Sequence, residues 1–287
     1  MIRALLLALA LGTALPALAK PPVRPAAPQS AAQLCARIEG RLASVAAGEC
    51  AALGLRETGA RSAQGAPLLM RDYPTAAAAP KARVLLIGGI HGDELSSISV
   101  VLKWMQLLER GQGREFHWRV LPLANPDGLF ARPRAQRTNA RGVDLNRNFD
   151  TGPWQVALND YWAGRTGRNP RVYPGPQAES EPETRWLRAQ IEDFRPDAII
   201  SVHAPHGVVD FDGPPVAPEK LGELRLGLLG TYPGSLGNFA GAQRGMQVVT
   251  LELPHAGIMP KPGHIHSMWR DLAGWLAENA RLREPRQ

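Results

Sequence analysis

From Lys81 onward, short continuous apolar runs alternate with apolar stripes of helical period. Val84-Leu85-Leu86-Ile87, followed by Gly88-Gly89, is a run suited to a strand covered on both faces. Leu95, Ile98, Leu102, Met105 and Leu108 then recur at intervals of three or four, which predicts an amphipathic helix with Gly111 as its stop. A second strand is predicted from Trp118 to Leu123, ended by the turn sequence Asn125-Pro126-Asp127-Gly128. Ser180 and Glu183 have the spacing of a capping box for a helix running to about Phe194, where Arg195-Pro196 closes it. Strands are expected again at 198–202 and 248–253, and a final helix at 268–282. Strands alternating with helices imply an α/β sandwich around a largely parallel sheet, and no internal repeat is visible.

The N-terminal region follows a different pattern. Arg3 precedes an unbroken apolar run from Ala4 to Leu11, and Ala17-Leu18-Ala19 is a small-residue cleavage signature, so residues 1–19 read as a secretory signal peptide. A spanning helix needs roughly 20 apolar residues. Here Gly12, Thr13 and Pro16 interrupt the run. Residues 20–30 are rich in proline and lack periodicity, as in an extended linker, and ordered structure is expected from Ala31. Export changes the reading of Cys35 and Cys50. No close-spaced Cys or His accompanies either as in a zinc site, and in an oxidising compartment the two are expected to form a disulfide.

The chain is long enough for a sizeable core at 287 residues, and 44% apolar with 21% charged residues excludes collagen, coiled coil and a disulfide-dense scaffold. Lys and Arg exceed Asp and Glu by 33 − 26 = 7, and by 6 once Arg3 is removed, which favours acidic partners: nucleic acid, anionic lipid or a polyanionic cell wall. The seven tryptophans are too sparse for a nucleic-acid stacking array.

In such folds chemistry gathers at the carboxyl ends of strands. His91-Gly92-Asp93-Glu94 follows the first apolar strand, and His203 and Glu252 stand at the ends of two later ones. Two histidines and a glutamate as ligands leave a position open for water, the arrangement of a catalytic zinc, and a further carboxylate held off the metal can serve as general base. A lone His-x-x-Glu says little, because both residues are common at helix starts. The ordered recurrence at three strand ends says more. Between these elements lies the cationic segment 137–149, in which Arg147 is flanked by Asn146 and Asn148. Clustered arginines usually form a solvated loop. This setting instead suits a fixed guanidinium that forks a carboxylate. His206, His255, His264 and His266 lack a carboxylate at ligand spacing and are expected in loop or surface roles.

Together, His91-Gly92-Asp93-Glu94, the 142–149 stretch Gly-Val-Asp-Leu-Asn-Arg-Asn-Phe, His203 and Thr250-Leu251-Glu252-Leu253 resemble the zinc carboxypeptidase family typified by carboxypeptidase A, over roughly residues 81–255. Within it, the Ile-His-Gly-Asp-Glu wording and the Tyr-Pro-Gly-Ser-Leu-Gly stretch at 232–237 are most similar to bacterial murein peptide amidases, which cleave the γ-D-glutamyl-meso-diaminopimelate bond. The resemblance implies a three-layer sandwich with a mixed sheet, and a single catalytic domain over residues 31–287. It further implies one zinc ion held by His91, Glu94 and His203, with Glu252 as general base and later proton donor. Arg137 is then the oxyanion partner, and Asn146 with Arg147 grips a terminal carboxylate. Tyr232 corresponds to the family's mobile-loop tyrosine across a stretch shortened here. Asp210 and Asp212 are candidates to face the ammonium of diaminopimelate.

The expected protein is thus a monomeric periplasmic or secreted hydrolase of a murein tripeptide or related peptide, with no nucleic-acid partner and no membrane span in its mature form. Its rivals are a general metallocarboxypeptidase acting on L-peptides, a deacylase of N-acylated amino acids, and a non-catalytic wall-peptide-binding protein. The last would be expected to lack a ligand or the base, and all four positions are filled.

Overall fold

The computed structural model describes residues 29–75, 79–214 and 216–280. The expected signal peptide and most of the linker lie outside them. The first element is α1 (Ala31–Arg41), whose start is fixed by a capping box between Ser30 and Gln33. Its buried face carries Leu34, Cys35 and Ile38, and the Cys35–Cys50 disulfide ties it to the short α2 (Glu49–Ala52). Both half-cystines are buried in the core. The bond closes a separation of 15 residues, so replacing both cysteines with serine is expected to lower unfolding free energy by about 3 kcal/mol in urea titrations. An unchanged midpoint would show that packing alone holds α1 in place.

Two strands that the apolar pattern did not reveal, β1 (Arg56–Arg61) and β2 (Pro67–Tyr73), precede the apolar strand β3 (Arg83–Gly88). Then come α3 (Leu95–Glu109), β4 (His117–Leu121) and α4 (Pro126–Leu129). A π-helical segment (Val156–Arg165), α5 (Pro182–Phe194) and β5 (Ala198–His203) follow. The chain continues through β6 (Val208–Asp212), β7 (Lys220–Leu221) and β8 (Leu224–Leu226). A second π-helical turn (Gly237–Ala242), β9 (Gln247–Glu252) and α6 (Pro262–Asn279) complete it.

Among the described residues nine strands form one sheet in the order β1-β2-β4-β3-β5-β9-β6-β8-β7. Its centre, β4-β3-β5-β9, is parallel, whereas β2 runs antiparallel to β4 and β6 antiparallel to β9. The mixed α/β architecture agrees with expectation. Alternate residues of the central strands supply two apolar layers. Val84, Leu86, Ile200, Val202, Val249 and Leu251 pack with α1, α3 and α6, and Leu85, Ile87, Ile199 and Val248 pack with α5. Burial on both faces explains why these strands read as unbroken apolar runs.

Three local expectations are corrected. Asn125-Pro126-Asp127-Gly128 opens the helical turn α4, because the Asn125 side chain accepts the Gly128 amide and Pro126 supplies a helical first position. The capping box at α5 does not form: Glu181 is the cap position, Pro182 begins the helix, and the Ser180 hydroxyl donates to Glu181 Oε1 instead. The last helix starts six residues early, at Pro262, and so carries His264 and His266.

Candidate active site

The carboxyl ends of β3, β5 and β9 meet at one cavity of about 170 Å³. His203 and Glu252 close their strands side by side in register. His91 and Glu94 lie in the loop between β3 and α3. Glu94 occupies the cap position of α3 without a side-chain capping bond, which leaves its carboxylate to the cavity. His91, Glu94 and His203 are all at most 3% exposed.

Their contacts define a donor set. His91 Nε2 lies 3.0 Å from Asp144 Oδ1, and since the carboxylate accepts, this nitrogen carries the proton and Nδ1 presents a lone pair. That lone pair faces Glu94 Oε1 at 2.7 Å and His203 Nδ1 at 3.1 Å, and His203 Nδ1 is 3.0 Å from Glu94 Oε2. Two imidazoles and a carboxylate that converge so closely suit a cation shared between them. Two imidazole nitrogens and a carboxylate, with room left on the cavity side, fit a zinc ion with an open position. Burial alone would raise the Glu94 carboxyl, but the adjacent His91 and His203 hold it well below the usual carboxylate range. Asp144 is likewise held low against its burial, by Arg137 and His91.

Arg137 donates from Nε to Asp144 Oδ2 at 2.9 Å and from Nη1 to Glu94 Oε1 at 3.4 Å, so its guanidinium borders the same cavity. Asn146 lines it too, and its Oδ1 accepts the Leu236 amide. Arg147 is only 7% exposed. Its Nη1 donates to the Asn146 carbonyl at 2.7 Å, and Nε and Nη2 each reach the Tyr161 hydroxyl at 3.4 Å. Its guanidinium carbon lies 4.4 Å from the centre of the Tyr232 ring. Among the described residues no carboxylate forms an ion pair with Arg147. A buried cation built this way is a ready receptor for an anion.

The 232–237 stretch is the opposite wall. Gly234 has φ near +77°, and a Cβ there would strike the Arg147 carbonyl, so glycine permits this turn to lie against the arginine. A Cβ on Gly237 would collide with the Asp212 carboxylate. The Tyr232 hydroxyl donates to the Leu229 carbonyl, which keeps its ring over Arg147.

The sheet face under the cavity is ordered by register. Beneath the His203 and Glu252 pair come Ser201, Thr250 and Asp210, adjacent across β5, β9 and β6, and Asp212 pairs with Val248 one step further. Ser201 Oγ is buried without a partner. Burial raises both aspartates, Asp212 to about 6 with help from the charge of Asp210. Neither has a cation in ion-pair contact among the described residues. Glu252 Oε2 is also buried and unpartnered.

All eight residues expected in the metal, catalytic and binding roles therefore line one cavity. His206 stands at its exposed mouth, while His264 pairs with Glu223 and His266 with the Pro262 carbonyl, away from any second metal group among the described residues. Asp144 and Tyr161 were not anticipated. Asp144 was within reach, since a metal-binding histidine commonly donates its other ring N–H to a carboxylate and one stands two positions before Asn146. Tyr161 gave no signal in the sequence: it sits on a π-helical segment that only tertiary packing brings over Arg147.

A zinc carboxypeptidase family model matches residues 52–211. Murein peptide amidase A of Escherichia coli (strain K12) is 33% identical over 201 residues, covering 68% of this chain and 79% of that protein. Its namesake in Vibrio campbellii is 32% identical over the same length. Among solved structures, murein-tripeptide amidase from Escherichia coli O157 superposes with a TM-score of 0.52 at 25% identity, over 81% of this chain and 94% of that one. Carboxypeptidase A from Helicoverpa armigera reaches 0.60 at 20% identity, over 78% and 68%, a likeness of fold.

Proposed function

Since the chain belongs to the zinc carboxypeptidase family and is a peptide hydrolase, we propose that it removes meso-diaminopimelate from murein peptides by hydrolysing the γ-D-glutamyl amide bond. The observation that carries this reading is the division of one cavity between a buried cation without an acid, Arg147, and two carboxylates without a base, Asp210 and Asp212. A leaving amino acid with a carboxylate beside the scissile amide and an ammonium at its far end complements both.

Zinc, held by His91, Glu94 and His203, would supply a Lewis acid and lower the pKa of water. Glu252 takes the proton of the attacking water and returns it to the departing amine. Arg137 faces the carbonyl oxygen as negative charge develops there, with Asp144 fixing its direction. Arg147 forks the free carboxylate, assisted by Asn146, and Tyr232 packs over the guanidinium. This clamp makes the reaction exopeptidic, because a substrate without the carboxylate loses its positioning. The disulfide and the N-terminal pattern support export, with the protein acting as a monomeric single catalytic domain in the periplasm or outside the cell. Among the described residues no helix is long and apolar enough to cross a membrane.

The test is release of free diaminopimelate from L-Ala-γ-D-Glu-meso-diaminopimelate by the zinc-loaded protein. The Asp210→Asn, Asp212→Asn double variant is expected to lose about 10- to 100-fold in kcat/KM on this peptide, the worth of a charged hydrogen bond. It should lose little on the 2-aminopimelate analogue, which lacks the ammonium. Equal losses on both would remove these residues from recognition, and faster turnover of ordinary L-peptides would make the protein a general carboxypeptidase.

A further inference from the structure

Below the catalytic loop, away from the cavity, lies a buried set of acids that the reaction does not use. Asp127 of α4 accepts from the Ser62 hydroxyl at 2.7 Å and the Gln64 amide at 2.9 Å. Glu183, in the first turn of α5, is fully buried and accepts from the Ala63 amide at 2.8 Å and Asn139 Nδ2 at 3.2 Å. Ala63, which donates to Glu183, lies between Ser62 and Gln64, which donate to Asp127, so one turn holds both acids. Burial first, and then the charge of Asp127, pushes Glu183 up to about 7.

Asn139 links this pair to the site. Its Nδ2 also donates to Glu181 Oε2 at 2.7 Å, and its Oδ1 accepts the Arg141 and Val143 amides. Its backbone closes the turn through bonds with Val143 and Gly142. That turn brings Arg137 and Asp144, seven positions apart, into their 2.9 Å bond. The charged groups around the acids are Glu181 beside Asn139, Arg141 paired with Glu181, and Arg37 of α1 acting on Asp127.

We propose that Glu183 is a positioning residue for Arg137 and Asp144, gripping Asn139 on one side and the Ala63 amide on the other so that the catalytic turn is locked against α5 and the β1–β2 turn. Loss of the Glu183 proton sets two carboxylates against each other at a dry site and loosens the turn. This rests on the reading of Arg137 and Asp144 as working residues. Glutamine keeps the side-chain shape and an acceptor oxygen and cannot ionise, so Glu183→Gln mimics the locked form and Glu183→Ala removes it.

An acid held above its unfolded value binds more protons when folded. Its stabilising effect is full below about 4.5 and is lost as pH rises towards 7. Relative to Glu183→Gln, the melting temperature of the wild type should therefore fall across that window, and the infrared carbonyl stretch of protonated carboxyl at about pH 6 should be stronger in the wild type than in the variant. Neither measurement needs a substrate, so the proposal can be judged even if the murein peptide is not turned over. With turnover, Glu183→Gln should keep kcat within about twofold near pH 6 and exceed wild type by about fivefold near pH 9, and Glu183→Ala should lose about tenfold in kcat with KM little changed. Parallel melting profiles, equal carboxyl bands in wild type and Glu183→Gln, coincident pH–rate profiles, or wild-type kcat in Glu183→Ala would each overturn it.

Discussion

Glu252→Gln is expected to lower kcat by about a thousandfold, roughly 4 kcal/mol of barrier, while zinc content and KM stay within about twofold of wild type. The substitution is isosteric. It sits at the end of a central strand whose register with β5 fixes the backbone beside His203, so the site should keep its shape. What disappears is a carboxylate able to accept a proton from water at a buried position, where Oε2 has no other hydrogen-bond partner. Single-turnover rates and metal analysis on the same samples provide the check. Zinc lost in proportion to activity would reassign Glu252 to metal binding, and turnover within tenfold of wild type would dismiss it as the base.

Arg147→Ala should cost about a thousandfold in kcat/KM, within the 2–5 kcal/mol typical of removing one partner from a buried hydrogen-bonded charge pair. Here the partner is the substrate carboxylate, since no acid of the described protein pairs with the guanidinium. Arg147→Lys should recover only part of the loss, because an ammonium cannot form the two parallel bonds of the fork or stack as a plane against Tyr232. The discriminating substrate is the peptide with that carboxylate converted to an amide. Wild type should handle it poorly, and Arg147→Ala should scarcely distinguish it from the acid. A variant that is slow on both but still prefers the acid would point to disturbed folding.

The legible parts of the fold are those with continuous burial. The run 84–87 and the stripe from Leu95 to Leu108 appear as β3 and α3, because each buries apolar side chains in a period set by its own backbone. β1, with its half-exposed Arg-Glu-Thr-Gly-Ala-Arg sequence, is an edge strand with little apolar pattern to detect. The two π-helical segments have no distinctive sequence period either. At α5, Ser180 had the spacing of a cap, but Asn148 and Glu181 claim its hydroxyl. A local rule gave way to a buried network.

The site divides the same way. Which residue types could bind a metal, carry a proton or fork a carboxylate is written in the chain, because imidazole, carboxylate and guanidinium bring their chemistry with them. His91, Glu94, Arg137, Asn146, Arg147, His203, Tyr232 and Glu252 could all be named before any fold was known, as could the Cys35–Cys50 pair. Only tertiary structure decides how far each is from water and what stands beside it. It sets Asp144 behind His91, lays Tyr161 and Tyr232 over Arg147, and aligns Ser201, Thr250 and Asp210 in one row across three strands. It also buries Glu183 and Asp127 on one turn, bringing together two acids 56 positions apart that no local pattern connects. Charge and hydrogen bonding act over a few ångströms, and those distances between remote residues exist only once the sheet has brought its strand ends together.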